Sequence, residues 1–551
     1  MPLLEETNYI PTEKYAKAPE LLEHSRRIGR HFDLYDRAIF HAEVTRMDWD
    51  ESTNRWIVKT DRGDTIRTRF TASASGPLNM PKLPGVEGVD TFKGHSFHTS
   101  RWDYDYTGGT LHGNLDKLAN KRVGFIGTGA TAIQAIPHLG EGVQKGEDGR
   151  LFVFQRTPSS VSWRNNRKTD PEWAASLKPG WQAERQENFL RVLGGSQEED
   201  LVADGWTSFS RWLKEQGIPR SPALWVEFGR LLELADMQNM ERIRGRCDSV
   251  VKDKATAEAL KPWYRQFCKR PCFHDEYLDT YNLPNVKLVD TDGKGIDRIT
   301  EKGIVVKGKE YELDCIIYGT GFEVGTSYSR RSNFEIYGRN GLTMTEKWND
   351  GVRTLHGFWM NEFPNMFIIT TSQSGFAANF VHMLSRQAKH VAWIIAECEK
   401  RGIKQIECTK AAEDGWGETI LANQRQMGNY ASECTPGYYN LEGQINDSLR
   451  FKRSSSYGLG PLAFCKLMDE WRAKGDMEGL ELTYFAAKTA TPTTNGVNGV
   501  NGVNAINGHV RKDSKDLSSE SKELNGHLNG LNKAVDGLKV EVKAISSTAV
   551  A

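Results

Sequence analysis

An α/β fold built on a parallel sheet is predicted for this chain, and three observations predict it. Arg122–Leu139 reads RVGFIGTGATAIQAIPHL, an apolar strand, a glycine turn and then a helical pattern. LFVFQR (Leu151–Arg156) supplies a second buried strand directly after that helix. ELDCIIYGTGF (Glu312–Phe322) is a third apolar strand that runs into glycines. Strands alternating with helices are the mark of parallel sheets.

The remaining elements follow in chain order. Pro19–Arg30 reads as a helix with Leu21, Leu22 and Ile28 apolar. RWIVKT (Arg55–Thr60) and TIRTRF (Thr65–Phe70) flank the turn-forming tetrad DRGD and predict a hairpin. FTASASG (Phe70–Gly76) predicts a short buried strand ending at glycine. A second unit begins near Lys121. The stretch 166–261 turns helical: Ser221-Pro222 offers an N-cap and a first-turn proline, and Leu224, Phe228, Leu231 and Leu232 keep helical spacing. Its tryptophans (163, 173, 181, 206, 212 and 225) suit either a pocket wall or core packing. VKLVD, GIVVKG and Glu312–Phe322 return to strand. Residues 340–486 mix short strands with a long helix around His382–Glu397. From Ala487 onward there is no Phe, Trp, Tyr or Cys, and NGVNGVNGVNAING (Asn495–Gly508) repeats every three residues. Such a segment cannot bury enough surface to offset chain entropy, so 487–551 reads as a disordered tail. Leu524, Leu528 and Leu531 could line one weak amphipathic helix within it.

Composition excludes several classes. Lys+Arg and Asp+Glu are both 72 of 551 residues, so no basic field calls for nucleic acid or an anionic membrane. No run of about 18 apolar residues is present to span a bilayer. MPLLEETNYIPTEKY is acidic and polar, unlike a signal peptide. The 8 Cys form no CxxC or zinc-like pair, which predicts reduced thiols, no metal site and a cytoplasmic setting. Cys268 and Cys272 are read as packing residues.

The chemistry-bearing motif is Gly127-Thr128-Gly129-Ala130-Thr131-Ala132, a G-x-G-x-x-A between strand and helix. Gly127 permits the tight turn, Gly129 lets backbone approach a pyrophosphate, and Ala132 allows close helix–strand packing. The bland alternative is a glycine turn in an α/β unit without a ligand. At the end of the following strand an acid would grip a ribose 2′-hydroxyl; this chain has Arg156-Thr157 instead. A guanidinium suits a 2′-phosphate, which favours NADPH over NADH; a plain surface arginine is the alternative.

A further constellation is FKGHSFHTSRWD, Phe92–Asp103. It resembles the fingerprint F-x-G-x-x-x-H-T-x-x-W-[P/D] of Baeyer–Villiger monooxygenases, which insert one oxygen of O2 beside a ketone. VGFIGTGATAIQ, VFQRTP, FCKRP (Phe267–Pro271) and IIYGTGFE (Ile316–Glu323) are similar to further family stretches, and the likeness covers roughly 10–480. It is nearest to fungal natural-product members. The resemblance implies a two-dinucleotide-binding-domain flavoprotein fold: an FAD domain incomplete at its N-terminal side, and an inserted Rossmann-like NADPH domain carrying a helical insertion. The implied boundaries are 1–105 (FAD domain, first part, with linker), 106–165 and 262–325 (NADPH domain), 166–261 (insertion), 326–486 (FAD domain, second part) and 487–551 (tail). It implies FAD and NADPH as cofactors, and a polyketide or terpenoid ketone with O2 as substrates. Arg270 is the implied catalytic cation, holding negative charge that develops at the reacting oxygen; it keeps its proton where Lys269 can lose one. Lys269 is implied at NADPH, Val44 at the FAD adenine and Met383 near the flavin ring. His98 and Trp102 are implied to couple the two nucleotide domains.

The pattern breaks in places. The family's first G-x-G-x-x-G, which receives the FAD pyrophosphate, has no counterpart here, nor has the aspartate that positions the essential arginine. The chain starts where the family sequence resumes, near Tyr9–Tyr15. TTSQSG (Thr370–Gly375) departs from the usual glycine-proline-rich version. An alternative therefore stands beside the monooxygenase: a degenerate member without FAD, acting as a binding partner or as a non-redox isomerase or cyclase. A flavin disulfide reductase or N-hydroxylase is a third, disfavoured by the missing CxxC pair.

Overall fold

The computed structural model describes residues 1–196, 199–215, 225–424, 433–444 and 448–486. Ser221, Pro222, Leu224 and the whole 487–551 stretch, with its repeat and Leu524, Leu528 and Leu531, lie outside the described residues.

Hydrophobic alternation builds the central sheet. Strands β5 (His95–His98), β6 (Arg122–Ile126), β7 (Arg150–Gln155), β10 (Val286–Asp290) and β14 (Cys315–Tyr318) lie in the order β10-β7-β6-β14-β5. Every neighbour pair is parallel, with Ile126 opposite both Phe154 and Tyr318, and Tyr318 opposite His98. Val123, Phe125, Leu151, Val153 and Ile317 point to one face, where Ile133, Ile136, Leu139 and Val143 of the helix Ala132–Gln144 cover them. Ile126, Phe154, Ile316 and Tyr318 point to the other, against Ile304 and Val306 of β12 (Gly303–Val306). Both faces are dry at the centre of the sheet, so β6, β7 and β14 read as nearly continuous apolar runs. Each side chain so buried contributes about 1.5–3 kcal/mol.

The flanking unit is built from smaller sheets. β1 (Val44–Asp50), β2 (Arg55–Thr60) and β3 (Thr65–Thr68) form an antiparallel ribbon whose edge accepts β15 (Glu335–Tyr337) in parallel. Trp49 and Trp56 anchor its core. β4 (Thr71–Ser73) pairs in parallel with β16 (Met366–Ile368), a sheet of two strands among the described residues. The helix Phe380–Arg401 packs beside it over a core of Trp359, Phe367, Ile394 and Trp471.

Helices Pro171–Ser176, Trp181–Gly194, Gly205–Glu215, Trp225–Val250 and Lys254–Ala259 make up the helical stretch among the described residues. The N-terminal residues are pinned to it, Leu4 N to Gln182 Oε1 at 2.9 Å and Lys14 Nζ to the Val202 carbonyl at 2.8 Å. Trp163, Trp173 and Trp206 serve packing and cation–π contacts. Arg246 lies 4.6 Å over Trp163, Arg185 lies 5.5 Å over Trp173, and Trp206 sits 5.0 Å from Phe273.

Two features stand beside those expectations. First, β5 pairs in parallel with β14 at the edge of the central sheet. Edge pairing with β14, more than two hundred residues on, has no local signal. Second, the thiols are not all reduced: Cys268 is joined to Cys434 in a disulfide, while Cys272 is buried and free. The CxxxC spacing hid a partner 166 residues away. This removes the thiol argument for a cytoplasmic setting. Among the described residues no helix is long and apolar enough to cross a membrane.

Candidate functional site

The glycine turn sits at the carboxyl end of β6, where nucleotides bind in open parallel sheets. Gly127 has φ 113°, a conformation that side chains resist, and an added Cβ would stand 2.5 Å from the Gly319 carbonyl oxygen. This is the close approach of two crossover turns, the first at Gly127 and the second at Gly319. Gly129 differs: nothing lies within 4 Å of a Cβ built there, so the space above it is open. Thr131 is the N-cap of the helix Ala132–Gln144, and no side chain caps its first turn. Backbone carbonyls cap it instead: the Ile133 amide donates to the Gly129 carbonyl at 3.1 Å and the Gln134 amide to the Thr131 carbonyl at 3.2 Å. Ala132 is fully buried against the sheet, as close packing requires. Thr128 Oγ1 donates to the Thr157 carbonyl at 2.8 Å, and Ser159 Oγ returns a bond to the Thr128 carbonyl at 2.5 Å. Ala130 accepts from the Gln134 side chain at 2.8 Å.

Next to this turn the structure gathers cations. Arg156, one residue past β7, donates to Glu442 Oε2 at 3.0 Å and to the Pro436 carbonyl at 3.1 Å. Lys269 Nζ donates to the same Pro436 carbonyl at 2.8 Å. Lys82 Nζ lies 3.3 Å from Glu442 Oε1. Burial, together with the neighbouring Arg156 charge and against the pull of Glu442, lowers the Lys269 ammonium to about 8. Glu442 is held below the usual carboxylate range: burial raises it, and bonds to Arg156 and the Lys82 charge more than offset that.

Arg270 follows Lys269 and is exposed. Among the described residues no carboxylate forms an ion pair with it. Its charge lies near Tyr438 and Cys272. His98 ends β5 and is buried; its Nδ1 pairs with Ser100 Oγ at 2.8 Å, and its ring stands edge-on to Phe322 at 5.4 Å. Burial lowers its pKa, so the ring is neutral at pH 7.

No model of a protein family matches the chain. It is 49% identical over 487 residues to neopentalenolactone D synthase of Streptomyces avermitilis, covering 88% of this chain and 81% of that protein. It is also 49% identical to the Baeyer-Villiger monooxygenase ATR8 of Stachybotrys chlorohalonatus, covering 88% and 77%. The chain belongs to the Baeyer–Villiger monooxygenase family. Among solved structures, the polycyclic ketone monooxygenase of Thermothelomyces thermophila superposes with a TM-score of 0.78 at 40% identity, covering 88% of this chain and 80% of that one. A steroid monooxygenase bound to NADP superposes with a TM-score of 0.69 at 29% identity. This Baeyer–Villiger monooxygenase is thus a flavin-dependent oxidoreductase with the two-dinucleotide-domain fold.

In this family member, the residues of the 127–132 turn, Arg156, Thr157, Lys269 and Arg270 lie in neighbouring segments, with His98 at the next strand end. Trp102 packs from the same strand–turn, its Nε1 bonding Thr107 Oγ1 at 3.1 Å and its ring edge-on to Phe97 at 5.4 Å. Val44 and Met383 lie apart from them. Val44 starts β1 against the Trp49–Trp56 core, and Met383 is buried in the helix Phe380–Arg401, its methyl facing Gly375. Sequence reasoning missed Lys82, Glu442 and Cys434, which carry no motif of their own.

The nicotinamide nucleotide fits the residues present: a glycine turn open above Gly129, leading into a helix, and a cation cluster at the strand end. The fit to FAD is partial. Strands β4 and β16 and the helix bearing Met383 are the parts of that side present here.

Proposed function

We propose that the chain uses NADPH and O2, with FAD, to insert an oxygen atom beside the carbonyl of a polycyclic natural-product ketone, giving an ester or lactone. The ketone class follows what the relatives' names declare: a pentalenolactone-type synthase, a ketocytochalasin monooxygenase and a polycyclic ketone monooxygenase. The observation that carries the NADPH assignment is the cluster of Arg156, Lys82 and Lys269 beside the 127 turn, Arg156 and Lys82 meeting on the Glu442 carboxylate and Arg156 and Lys269 on the Pro436 carbonyl.

Each residue has a definite task. The Gly127–Gly129 backbone, at the positive end of the helix Ala132–Gln144, takes the pyrophosphate. Arg156 and Lys269 take the 2′-phosphate, Arg156 as a permanent charge suited to bidentate contact. Thr157 holds the turn in place through its carbonyl. With FAD bound, the flavin supplies the electron relay between nicotinamide and O2. Arg270 places a guanidinium without an ion-pair partner among the described residues beside Lys269, where it can hold negative charge as oxygen adds to the ketone. Neutral His98 moves no proton; it couples the β5 end to the second crossover through Phe322. Val44 and Met383 are assigned to the flavin side.

Arg156→Ala tests the assignment. Losing a charge-assisted phosphate contact of about 1.5–3 kcal/mol should weaken NADPH roughly 10- to 100-fold and leave NADH nearly unchanged. An equal loss for both removes Arg156 from the 2′-phosphate. On FAD-loaded protein, Arg270→Ala should keep NADPH oxidation and abolish ester formation; retained ester would assign the cation's task elsewhere.

A further inference from the structure

We propose that Glu442 is an internal stand-in for the cofactor's 2′-phosphate: the 433–444 segment, anchored by the Cys268–Cys434 disulfide, competes with NADPH for its own cation cluster. This rests on the assignment of Arg156 and Lys269 to that phosphate.

The cluster's donors are already engaged. Arg156 spends one bond on Glu442 and one on the Pro436 carbonyl, Lys269 bonds that same carbonyl, and Lys82 faces the other Glu442 oxygen at 3.3 Å. A carboxylate with two charge-assisted contacts and a carbonyl with two donors offer what a phosphomonoester would offer. The acceptors all come from one short segment. A 2′-phosphate cannot reach Arg156 with the same donors unless Glu442 gives way.

The segment is shaped to deliver that carboxylate. Asn440 is buried, and its Oδ1 accepts from Gly437 N at 2.9 Å and Gly443 N at 3.0 Å. Its Nδ2 donates to the Cys434 carbonyl at 3.0 Å. Leu441 and Glu442 both take left-handed backbone, φ 49° and 58°, which is uncommon for side chains other than glycine. That turn carries Glu442 back over Arg156. The disulfide then ties the start of the segment to Cys268, the residue before Lys269. Cation cluster and carboxylate are thus covalently linked within a few residues, which raises their effective concentration. A dithiol undoes the link: its two sulfurs form a cyclic disulfide, and the two electrons and two protons released leave Cys268 and Cys434 as thiols.

Calorimetry on the full chain separates the possibilities, with adenosine 2′,5′-bisphosphate as the probe and 5′-AMP as the control lacking the 2′-phosphate. Glu442→Gln should bind the bisphosphate about three- to tenfold tighter, with 5′-AMP unchanged, since two solvent-facing ion pairs no longer compete. Cys434→Ser, or dithiothreitol added to the wild type, should shift affinity in the same direction. If Glu442→Gln binds the bisphosphate equally or more weakly while wild type still prefers it to 5′-AMP, the competition is overturned and the NADPH assignment stands. If wild type shows no preference for the bisphosphate, that assignment falls and the inference with it. Unchanged affinity on breaking the disulfide would overturn its anchoring role.

Discussion

Two histidines are sealed neutral inside an aromatic cluster, and acid should open the protein there. His356 stands edge-on to Trp416 at 4.7 Å, and His390 lies 5.3 Å from Trp471 and 5.7 Å from Trp359. Neither His356 Nδ1 nor His390 Nε2 has a hydrogen-bond partner among the described residues. Burial lowers both from 6.5 to about 3, with the Arg472 and His356 charges adding to the effect at His390. Folded pKa values below the unfolded value mean that the unfolded chain binds the extra protons. The stability these rings confer is complete above about pH 6.5 and is lost as pH falls toward 3. In that window each ring costs about 1.4 kcal/mol per pH unit, so by pH 4.5 the pair removes roughly 5 kcal/mol. That rivals the whole stability of an ordinary domain, about 5–15 kcal/mol. The perturbation is His356→Asn, which keeps a side chain tolerant of the left-handed backbone at that position, φ 54°, and does not titrate. Urea unfolding followed by tryptophan fluorescence from pH 7 to 4.5 gives both curves. A fixed packing loss at all pH values is expected; the slope in the acid limb should fall by about half relative to wild type. Identical slopes would show that His356 is not held neutral and refute the reasoning.

The ammonium of Lys269 near pH 8 predicts that NADP⁺ binding weakens above that pH, as the charge facing the phosphate is lost. Calorimetry from pH 7 to 10 should show a loss approaching tenfold per unit, and Lys269→Arg should flatten it because guanidinium keeps its proton; a flat wild-type profile contradicts the placement. The two glycines of the turn should part company. Gly129→Ala meets open space, so the melting temperature should hold while nucleotide affinity drops more than about tenfold from blocked pyrophosphate approach. Gly127→Ala meets the Gly319 carbonyl at 2.5 Å from a left-handed backbone and should lose about 2 kcal/mol or more of stability. Equal melting points for the two variants would remove the distinction.

What the sequence exposed and what it hid follow from the range of the interactions. The 127 turn, strand β7 and Arg156 were legible because strand, turn and helix signals are local and adjacent. The hairpin at Arg55–Thr68 and the helix around His382 were legible for the same reason. β5 was not legible as a strand because its four residues, HSFH, carry no apolar run, and its place is set by pairing with β14. Cys434 and Glu442 sit in a Pro/Gly/Asn-rich loop whose composition predicts a turn and nothing about where the turn lands. Burial of Asn440 and the tie to Cys268 decide that, and both are tertiary.

These long-range contacts make the 2′-phosphate subsite a junction rather than a local pocket. Lys82 comes from the connection between β4 and β5, Arg156 from a strand end, Lys269 from the segment after the helical stretch, and Glu442 from the C-terminal part. Lys82 is itself tied to the second crossover: its N–H donates to the Gly321 carbonyl at 2.9 Å, and its carbonyl accepts from Thr320 Oγ1. His98 rests on Phe322, in that same crossover. A phosphate that takes Arg156 from Glu442 also frees the Lys82–Glu442 pair, and Lys82 can then turn toward the phosphate only by drawing on a backbone joined to Gly321. Charge at one end of the nucleotide is therefore felt by the connection between the two nucleotide units, with no need for a contact at the nicotinamide ring. NADH, lacking the phosphate, leaves the Glu442 pair intact and should leave the 433–444 segment as protected from hydrogen exchange as in the free chain, whereas NADPH should loosen it.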